Sequence, residues 1–437
     1  MGCTIYALGG HDEIHGFLGD DTIFGGTGED MLYGNQGSDT IYGGDQNDIL
    51  WGGGNDMLPD EGDFLYGGEG HDQFYGGFGD DQMYGGNGND TFAGSDEGAD
   101  LFDGGAGRDH VDYTWADGPI TVNLTTGTAS GNVATGDVLI SIEEVTGSIF
   151  GDFLLGSNGN DILRGGAGDD IIAGNGGGDI LHGGAGNDRL YKAFGTGTDD
   201  ARDIFRGHDG NDWLIYAGSQ SDLSVNLGAE RGFGGDARGD HIFSIENLRG
   251  GHGNDTLIGD GGDNILRGGS GGADSLFGVG GNDNLKGDSD DSLFGGGGAD
   301  ILRFAGTMNG GAGADTLIFG TVSGGAAAAS DMTGGNGADE FQLGGRGFTG
   351  ATGHQGIVRD FGDRGDVFDL SVYALAGGAS FVFAGAQPFS GTLGELVADT
   401  LRDGTIRVLA DTNGNGAADF WFDVQGISAL DAGDFIL

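Results

Sequence analysis

Cysteine, proline and positive charge are nearly missing from this chain of 437 residues: it has 1 Cys, 3 Pro and 17 Lys plus Arg. The lone Cys3 forms no internal disulfide, so a cystine framework does not stabilise the fold. Scarce proline, with no glycine at every third position, excludes a collagen helix. Against the few basic groups stand 69 Asp plus Glu, for a formal net charge of -52. Such a surface repels phosphates, which excludes nucleic acid and anionic membranes as general partners and favours cations. No apolar run is long enough to insert in a membrane, and the opening MGCTIYALGG lacks the basic and apolar regions of a Sec signal peptide.

What the chain has instead is glycine, 104 residues of it, beside 36% hydrophobic residues. Glycine loses more backbone entropy on folding than any other residue, so this content needs a compensating force other than a large apolar core. The glycines are not scattered. Asp12, Asp21, Asp30, Asp39 and Asp48 lie nine apart; after short steps at Asp56 and Asp63 the period resumes at Asp72, Asp81 and Asp90, then Asp100 and Asp109. A second run holds Asp152, Asp161, Asp170, Asp179 and Asp188, with Asp212 beyond it. A looser third holds Asp255, Asn264, Asp274, Asp283, Asp291, Asp300, Asp315 and Asp339. Two residues after most of these stands an apolar side chain, as at Ile14, Ile23, Leu32, Ile41 and Leu50.

The unit is Gly-Gly-x-Gly-x-Asp-x-(apolar)-x, as in GGAGDDIIA at 165–173. It predicts six residues of turn and about three of strand, whose single apolar side chain points inward by the period of two. Two units then make an 18-residue coil, and stacked coils bring equivalent Asp residues to the inter-strand distance of about 4.8 Å. Asp21 is expected over Asp39 on one edge, and Asp12, Asp30 and Asp48 on the other. Carboxylates about 5 Å apart repel by roughly 3 kcal/mol at an effective dielectric of 20. Ca²⁺ suits such columns because it takes roughly six to eight oxygen ligands in flexible geometry, including turn carbonyls. Zn²⁺ does not, for want of a Cys/His cluster.

This nonapeptide resembles the RTX (haemolysin-type) calcium-binding repeat, over most of residues 9–345. The resemblance implies an all-β parallel β-roll with multiple Ca²⁺ ions held by the motif Asp and backbone carbonyls. The Asp residues named above, from Asp12 to Asp315 and without Asp56, are the expected metal ligands. The pattern weakens where Asn264 replaces Asp, where Pro59 ends a strand, and where the spacing breaks at 48–63 and 188–203.

Two stretches leave the period and match each other at an offset of 103: residues 111–147 and 213–250, with Tyr113 matching Tyr216, Gly136-Asp137 matching Gly239-Asp240 and Ser141-Ile142-Glu143 matching Ser244-Ile245-Glu246. Ile120-Val122-Leu124 and Val138-Ile140-Ile142 read as strands that continue or cap the roll. Each insertion is too short for a catalytic domain. From about 344 the glycine pairs thin out, and the ending Asp434-Phe435-Ile436-Leu437 is similar to the C-terminal region of serralysin-type exoproteins. That likeness implies export by the ABC exporter of a type I secretion system. The expected organisation is a first roll (1–110), an insertion (111–150), a second roll (151–212), an insertion (213–250), a third roll (251–343) and a C-terminal cap with the export signal (344–437).

Other signals carry less. His11-Asp12-Glu13-Ile14-His15 is not a His-Glu-x-x-His helix, and Gly268-Gly269-Ser270-Gly271-Gly272 has no strand-to-helix context for a nucleophile. Asp411 to Asp419 matches part of an EF-hand loop, but Phe422 stands in place of the bidentate Glu. Phe24, Tyr33, Tyr42, Trp51, Tyr66, Tyr75 and Tyr84 each follow an Asp by three and should form outward ladders, a surface for glycan, self-association or plain cross-strand packing. The composite expectation is a secreted, non-enzymatic, calcium-folded structural, adhesive or matrix-associated module. The rival is a calcium-dependent accessory region of a secreted protease, lipase or alginate epimerase without its catalytic domain.

Overall fold

The computed structural model describes residues 2–53, 62–94, 98–194, 201–319, 330–344, 353–362, 365–371, 373, 375 and 379–437. Asp56 and Pro59 lie outside them. Two compact units emerge: Met1–Ile215 with Gly239–Ile245, and Tyr216–Arg238 with Glu246–Leu437. Among the described residues there is no α-helix, and none long and apolar enough to cross a membrane.

In the first unit the nonapeptide becomes two parallel sheets. One begins Thr4–Tyr6, Thr22–Thr27, Thr40–Asp45, Phe64–Glu69; the other begins Glu13–Leu18, Met31–Gln36, Ile49–Gly53, Gln73–Tyr75. Register runs Ile5↔Ile23↔Ile41↔Leu65, so each coil lies directly on the last. Between the sheets sits a core one residue deep from each strand: Ile23, Ile41, Leu65 and Met83 face Leu32, Leu50, Phe74 and Phe92, all fully buried. The parallel β-roll is therefore as the spacing predicts. The strands are longer than the expected three in many coils, because pairing continues through the glycines, as in Gly26↔Gly44.

The first insertion continues the roll. Leu101–Ala106 pairs in parallel with Val138–Ile140, while Thr121–Asn123 pairs with Phe153–Leu155 and, antiparallel, with Thr128–Ser130. The register Phe102↔Leu139 turns Leu139 inward and leaves Val138 and Ile140 about two-fifths exposed, at 42% and 43%. The alternation read as Val138-Ile140-Ile142 thus faces the wrong way for its first two members.

The second unit repeats the plan, with Thr256–Ile258, Ser275–Gly280 and Ser292–Gly297 in one sheet and Asn247–Arg249, Ile265–Arg267 and Asn284–Lys286 in the other. Near the C-terminus an antiparallel meander, Glu395–Thr400, Ile406–Asp411 and Phe420–Val424, joins the first of these sheets through Gly353–Val358. The terminal Phe435–Ile436 pairs with Val367–Asp369 and buries Phe435.

Candidate metal columns

The motif Asp residues sit at the ends of turns, just before their strands, and through most of the rolls the backbone N–H of one donates to Oδ1 of the Asp one coil on. Asp12 donates to Asp30 at 2.8 Å, Asp30 to Asp48 at 2.9 Å, and Asp21 to Asp39 at 2.7 Å. The two expected edges are thus hydrogen-bonded columns. They pass unbroken across the irregular spacings: Asp48 donates to Asp72 at 2.8 Å, and Asp188 to Asp212 at 2.8 Å. They also take in residues that the nonapeptide does not reveal. Asp100 donates to Asp137, Asp109 to Glu143, Asp203 to Asp240 and Asp339 to Asp366. A signal for two of these was present in the paired Gly136-Asp137 and Gly239-Asp240 of the duplicated stretches. Asn264 keeps its place, donating from its backbone to Asp283 at 2.8 Å.

The second carboxylate oxygen divides the columns into two kinds. At Asp21, Asp30, Asp48, Asp72, Asp90, Asp109, Asp170, Asp188, Asp283, Asp300 and Asp315, Oδ2 is buried and has no hydrogen-bond partner. At Asp152, Asp161, Asp255 and Asp291 it accepts a backbone N–H from Ser148, Ser157, Gly251 and Asp288 respectively, at 2.5–2.7 Å. At Asp152, Asp161 and Asp255 the switch is the backbone four residues before the Asp; at Asp291 a shorter turn presents the N–H three residues before it. In the open group the residue four before the Asp has positive φ: Gly26 at 107°, Gly44 at 122° and Gly166 at 112°, and even Phe17 at 74° and Val279 at 85°. Positive φ turns the peptide N–H away from the carboxylate. Ser148, Ser157 and Gly251 do not adopt it, and their N–H closes onto Oδ2.

Beside each open Oδ2 lies a notch kept free by the first glycine of the unit. A Cβ added at Gly25 would lie 2.6 Å from Asp30 Oδ2 and 2.6 Å from the Gly43 carbonyl oxygen of the next coil; at Gly16 the corresponding distances, to Asp21 Oδ2 and the Gly34 oxygen, are both 2.7 Å. Hard oxygen donors from a carboxylate and a carbonyl, with an orphaned buried anion between stacked turns, fit Ca²⁺. Among the described residues no three or more His, Cys, Asp or Glu side chains converge into a metal cluster, so carbonyl oxygens must complete any coordination here.

Burial makes several of the open carboxylates poor anions. It lifts Asp48 to about 7, with the neighbouring Asp72 and Asp30 adding to the rise and a hydrogen bond from the Asp30 backbone opposing it. Asp170 rises to about 8, again mainly by burial, with Asp188 and Asp152 contributing. One position carries its own cation: Lys192 Nζ lies 3.0 Å from Asp203 Oδ2 and 3.1 Å from Asp240 Oδ1, and donates to the Ala201 carbonyl at 2.6 Å. All three side chains are nearly inaccessible.

The remaining sequence signals resolve differently. His15 lies on the strand Glu13–Leu18 and stacks on Tyr33 at 4.5 Å, so the His-rich segment is no helical zinc site. The aromatic ladders exist, with Phe24, Tyr42, Tyr66 and Tyr84 stacked at 4.8–5.0 Å. Each ring face covers the next, which leaves edges, not faces, outward. In the EF-hand-like loop, Asp411 accepts backbone N–H bonds from Gly414 and Gly416 at 2.7 Å, and Asp419 accepts one from Thr412 at 2.7 Å. Those carboxylates are already engaged in holding the hairpin turn.

The sequence model of the RTX calcium-binding nonapeptide repeat, in its four-copy form, matches residues 4–32, 24–58, 60–92, 95–113, 146–181, 155–190, 244–272, 269–302 and 307–321, just over half of the chain. Among solved structures, the crystal structure of extracellular lipase LipA from Serratia marcescens is similar at 17% identity, with a TM-score of 0.15, over 67% of this chain and 40% of the lipase chain. The chain therefore spans well under two thirds of that neighbour's length. No curated protein matches it.

Proposed function

Because the chain belongs to the RTX calcium-binding nonapeptide repeat family, whose repeats bind Ca²⁺, we propose that it is a secreted module that folds when calcium fills its open Asp columns. The observation that carries the reading is the set of buried, unpartnered Oδ2 atoms beside glycine-lined notches. Asp21, Asp30, Asp48, Asp72, Asp90 and Asp109 in the first roll, Asp170 and Asp188 in the second, and Asp283, Asp300 and Asp315 in the third are the side chains that would hold the ions. Asp152, Asp161, Asp255 and Asp291, although their motif is similar, are satisfied by their own turns. When bound, Ca²⁺ supplies the positive charge that lets stacked carboxylates remain ionised in a buried row. The chain supplies the rest: positive-φ turns keep the N–H groups away, first glycines keep the notch open, and the Oδ1 hydrogen bonds fix the coil spacing.

Ions that bind only the folded chain add their binding free energy to its stability. With 104 glycines and a net charge of -52 the metal-free chain has little else to offset its entropy and self-repulsion. A low-calcium interior would thus keep it unfolded and a calcium-rich exterior would fold it, which suits export through an ABC exporter and a structural, adhesive or matrix-associated role outside the cell. The RTX nonapeptide is a structural calcium-binding repeat and not itself catalytic. The test is far-UV circular dichroism of the full chain in millimolar Ca²⁺ and in excess chelator. A β spectrum that disappears in chelator and returns with calcium supports the reading; one that survives chelation sinks it.

A further inference from the structure

Two imidazoles meet across neighbouring coils of the first unit. His182 lies on the strand Ile180–Ala185 and His208 on Ile204–Asp209, which pair in parallel with His182 opposite Arg206 and Gly184 opposite His208. His182 Nδ1 is 2.9 Å from His208 Nε2, with the ring planes 14° apart, and Arg206 Nη1 is 3.4 Å from His182 Nε2. His182 is half-buried and His208 is exposed. The pair joins coils where the regular step of 18 residues breaks, since the column beside it runs 24 residues from Asp179 to Asp203.

The proton positions follow from the neighbours. A guanidinium stays charged and only donates, so Nε2 of His182 accepts and carries no hydrogen. The His182 hydrogen is then on Nδ1 and points to Nε2 of His208, whose own hydrogen is on Nδ1. The chain from Arg206 through His182 to His208 thus runs in one direction and uses two neutral rings. A further proton has no place in it. On His182 it would sit at Nε2, facing the guanidinium. On His208 it would sit at Nε2, facing the N–H of His182, and moving that hydrogen to the other side of His182 only transfers the conflict to Arg206.

The surroundings do little to compensate a charge on His182. From the preceding strand Arg164 stands opposite it and is ion-paired with Glu144; farther along that face His110 is 2.9 Å from Thr146 Oγ1. From the following strand, His241 pairs opposite Ile204, and the Phe243 ring lies 5.5 Å from the Arg206 guanidinium. On the His208 side the acidic groups are Asp209, next in the chain, Asp188, whose carboxylate senses the imidazole, and Asp169, which accepts from the Asn187 backbone at 2.7 Å. Burial first, then Arg206, Arg164 and His208, push His182 down to about 4 against the pull of Glu144.

We propose that His182 and His208 form an acid-sensitive clamp between these two coils, closed at neutral pH and opened when a proton enters the pair. A ring whose folded value lies below its unfolded value of about 6.5 contributes stability that is present above the unfolded value and is lost as pH falls towards the folded one. The clamp therefore yields between about pH 6 and about pH 4, and loosens the strands Ile180–Ala185 and Ile204–Asp209 ahead of the first roll.

Hydrogen exchange read by mass spectrometry on the full chain in millimolar calcium tests this, with circular dichroism checking the fold at each pH. After correction for the intrinsic pH dependence of exchange, protection of Ile180–Ala185 and Ile204–Asp209 should fall at least about tenfold from about pH 7.5 to about pH 5, while that of Thr22–Thr27 and Thr40–Asp45 changes less than about twofold. In the double variant His182→Gln/His208→Gln the two segments should follow the first-roll strands. Nitrogen NMR of histidine-labelled wild type gives a reading that needs no variant: both rings should carry their hydrogen on Nδ1 at neutral pH. An equal fall in all four strands of wild type, a selective fall that persists in the double variant, or a hydrogen on Nε2 of His182 overturns the assignment.

Discussion

Lys192 gives the sharpest perturbation of the columns. Its ammonium stands between two inaccessible carboxylates, 3.0 Å from Asp203 and 3.1 Å from Asp240. Burial raises Asp203 and the neighbouring ammonium pulls it back towards the ionised form. Lys192→Met keeps most of the aliphatic stem and deletes the charge. Removing one partner of a buried ion pair typically costs about 3–5 kcal/mol, because the other charge is left uncompensated. For a unit of some two hundred residues, each kcal/mol moves the thermal midpoint by about 2–4 °C, so a fall of roughly 6–20 °C is expected in the sparsely loaded protein. Saturating calcium should recover part of this, with one more ion bound per chain than in wild type, since a ligand at 1,000 times its Kd contributes about 4 kcal/mol. Lys192→Met/Asp203→Asn should be milder than Lys192→Met alone, because both members of one contact are neutralised. Differential scanning calorimetry and atomic absorption on the dialysed protein measure both quantities. An unchanged midpoint together with unchanged ion content would refute the view that Lys192 takes the place of a metal.

Gly25→Ala puts a methyl group 2.6 Å from Asp30 Oδ2 and the Gly43 oxygen, so calcium stoichiometry should fall by one and stability with it; calorimetric titration that returns the wild-type stoichiometry speaks against the notch. The pH dependence of the calcium-free chain follows from Asp48, Asp283 and Asp315 at about 7 and Asp170 at about 8, all raised chiefly by burial. Residual structure in chelator should be greatest near pH 4 and decline as pH rises through 6 to 8, because the folded form binds protons that the unfolded form has released. A residual β signal in chelator, followed by circular dichroism, that stays flat or rises over that window contradicts it. Val279 holds φ at 85°, where a β-branched residue is strained, and Val279→Gly should stabilise the calcium-loaded second unit by about 1 kcal/mol, read as a higher denaturant midpoint.

Much of this was legible in the spacing of Asp residues. A period of nine with one apolar side chain per unit dictates stacked coils with a thin core, and both columns lie where the spacing puts them. What the sequence does not display is the backbone choice four residues before each Asp. Gly251 is free to take positive φ and does not, while Phe17 and Val279 do so against their side-chain sterics. Residue type alone therefore does not decide it. Asp137 and Asp240 were hidden for another reason: 37 residues separate them from Asp100 and Asp203, so no nonapeptide announces that they end in the same column. Val138 and Ile140 misled because strand alternation gives a period but no phase, and the phase is set by Leu139 lying opposite Phe102.

The central claim is that calcium occupies the open column positions and leaves the closed ones empty. Anomalous scattering from crystals grown in calcium tests it most directly. The account predicts ions within coordinating distance of Oδ2 at Asp30, Asp48, Asp170 and Asp300, and none at Asp152, Asp161, Asp203 or Asp255. Ions spread alike over both kinds of position, or absent from the buried Oδ2 atoms, would contradict it.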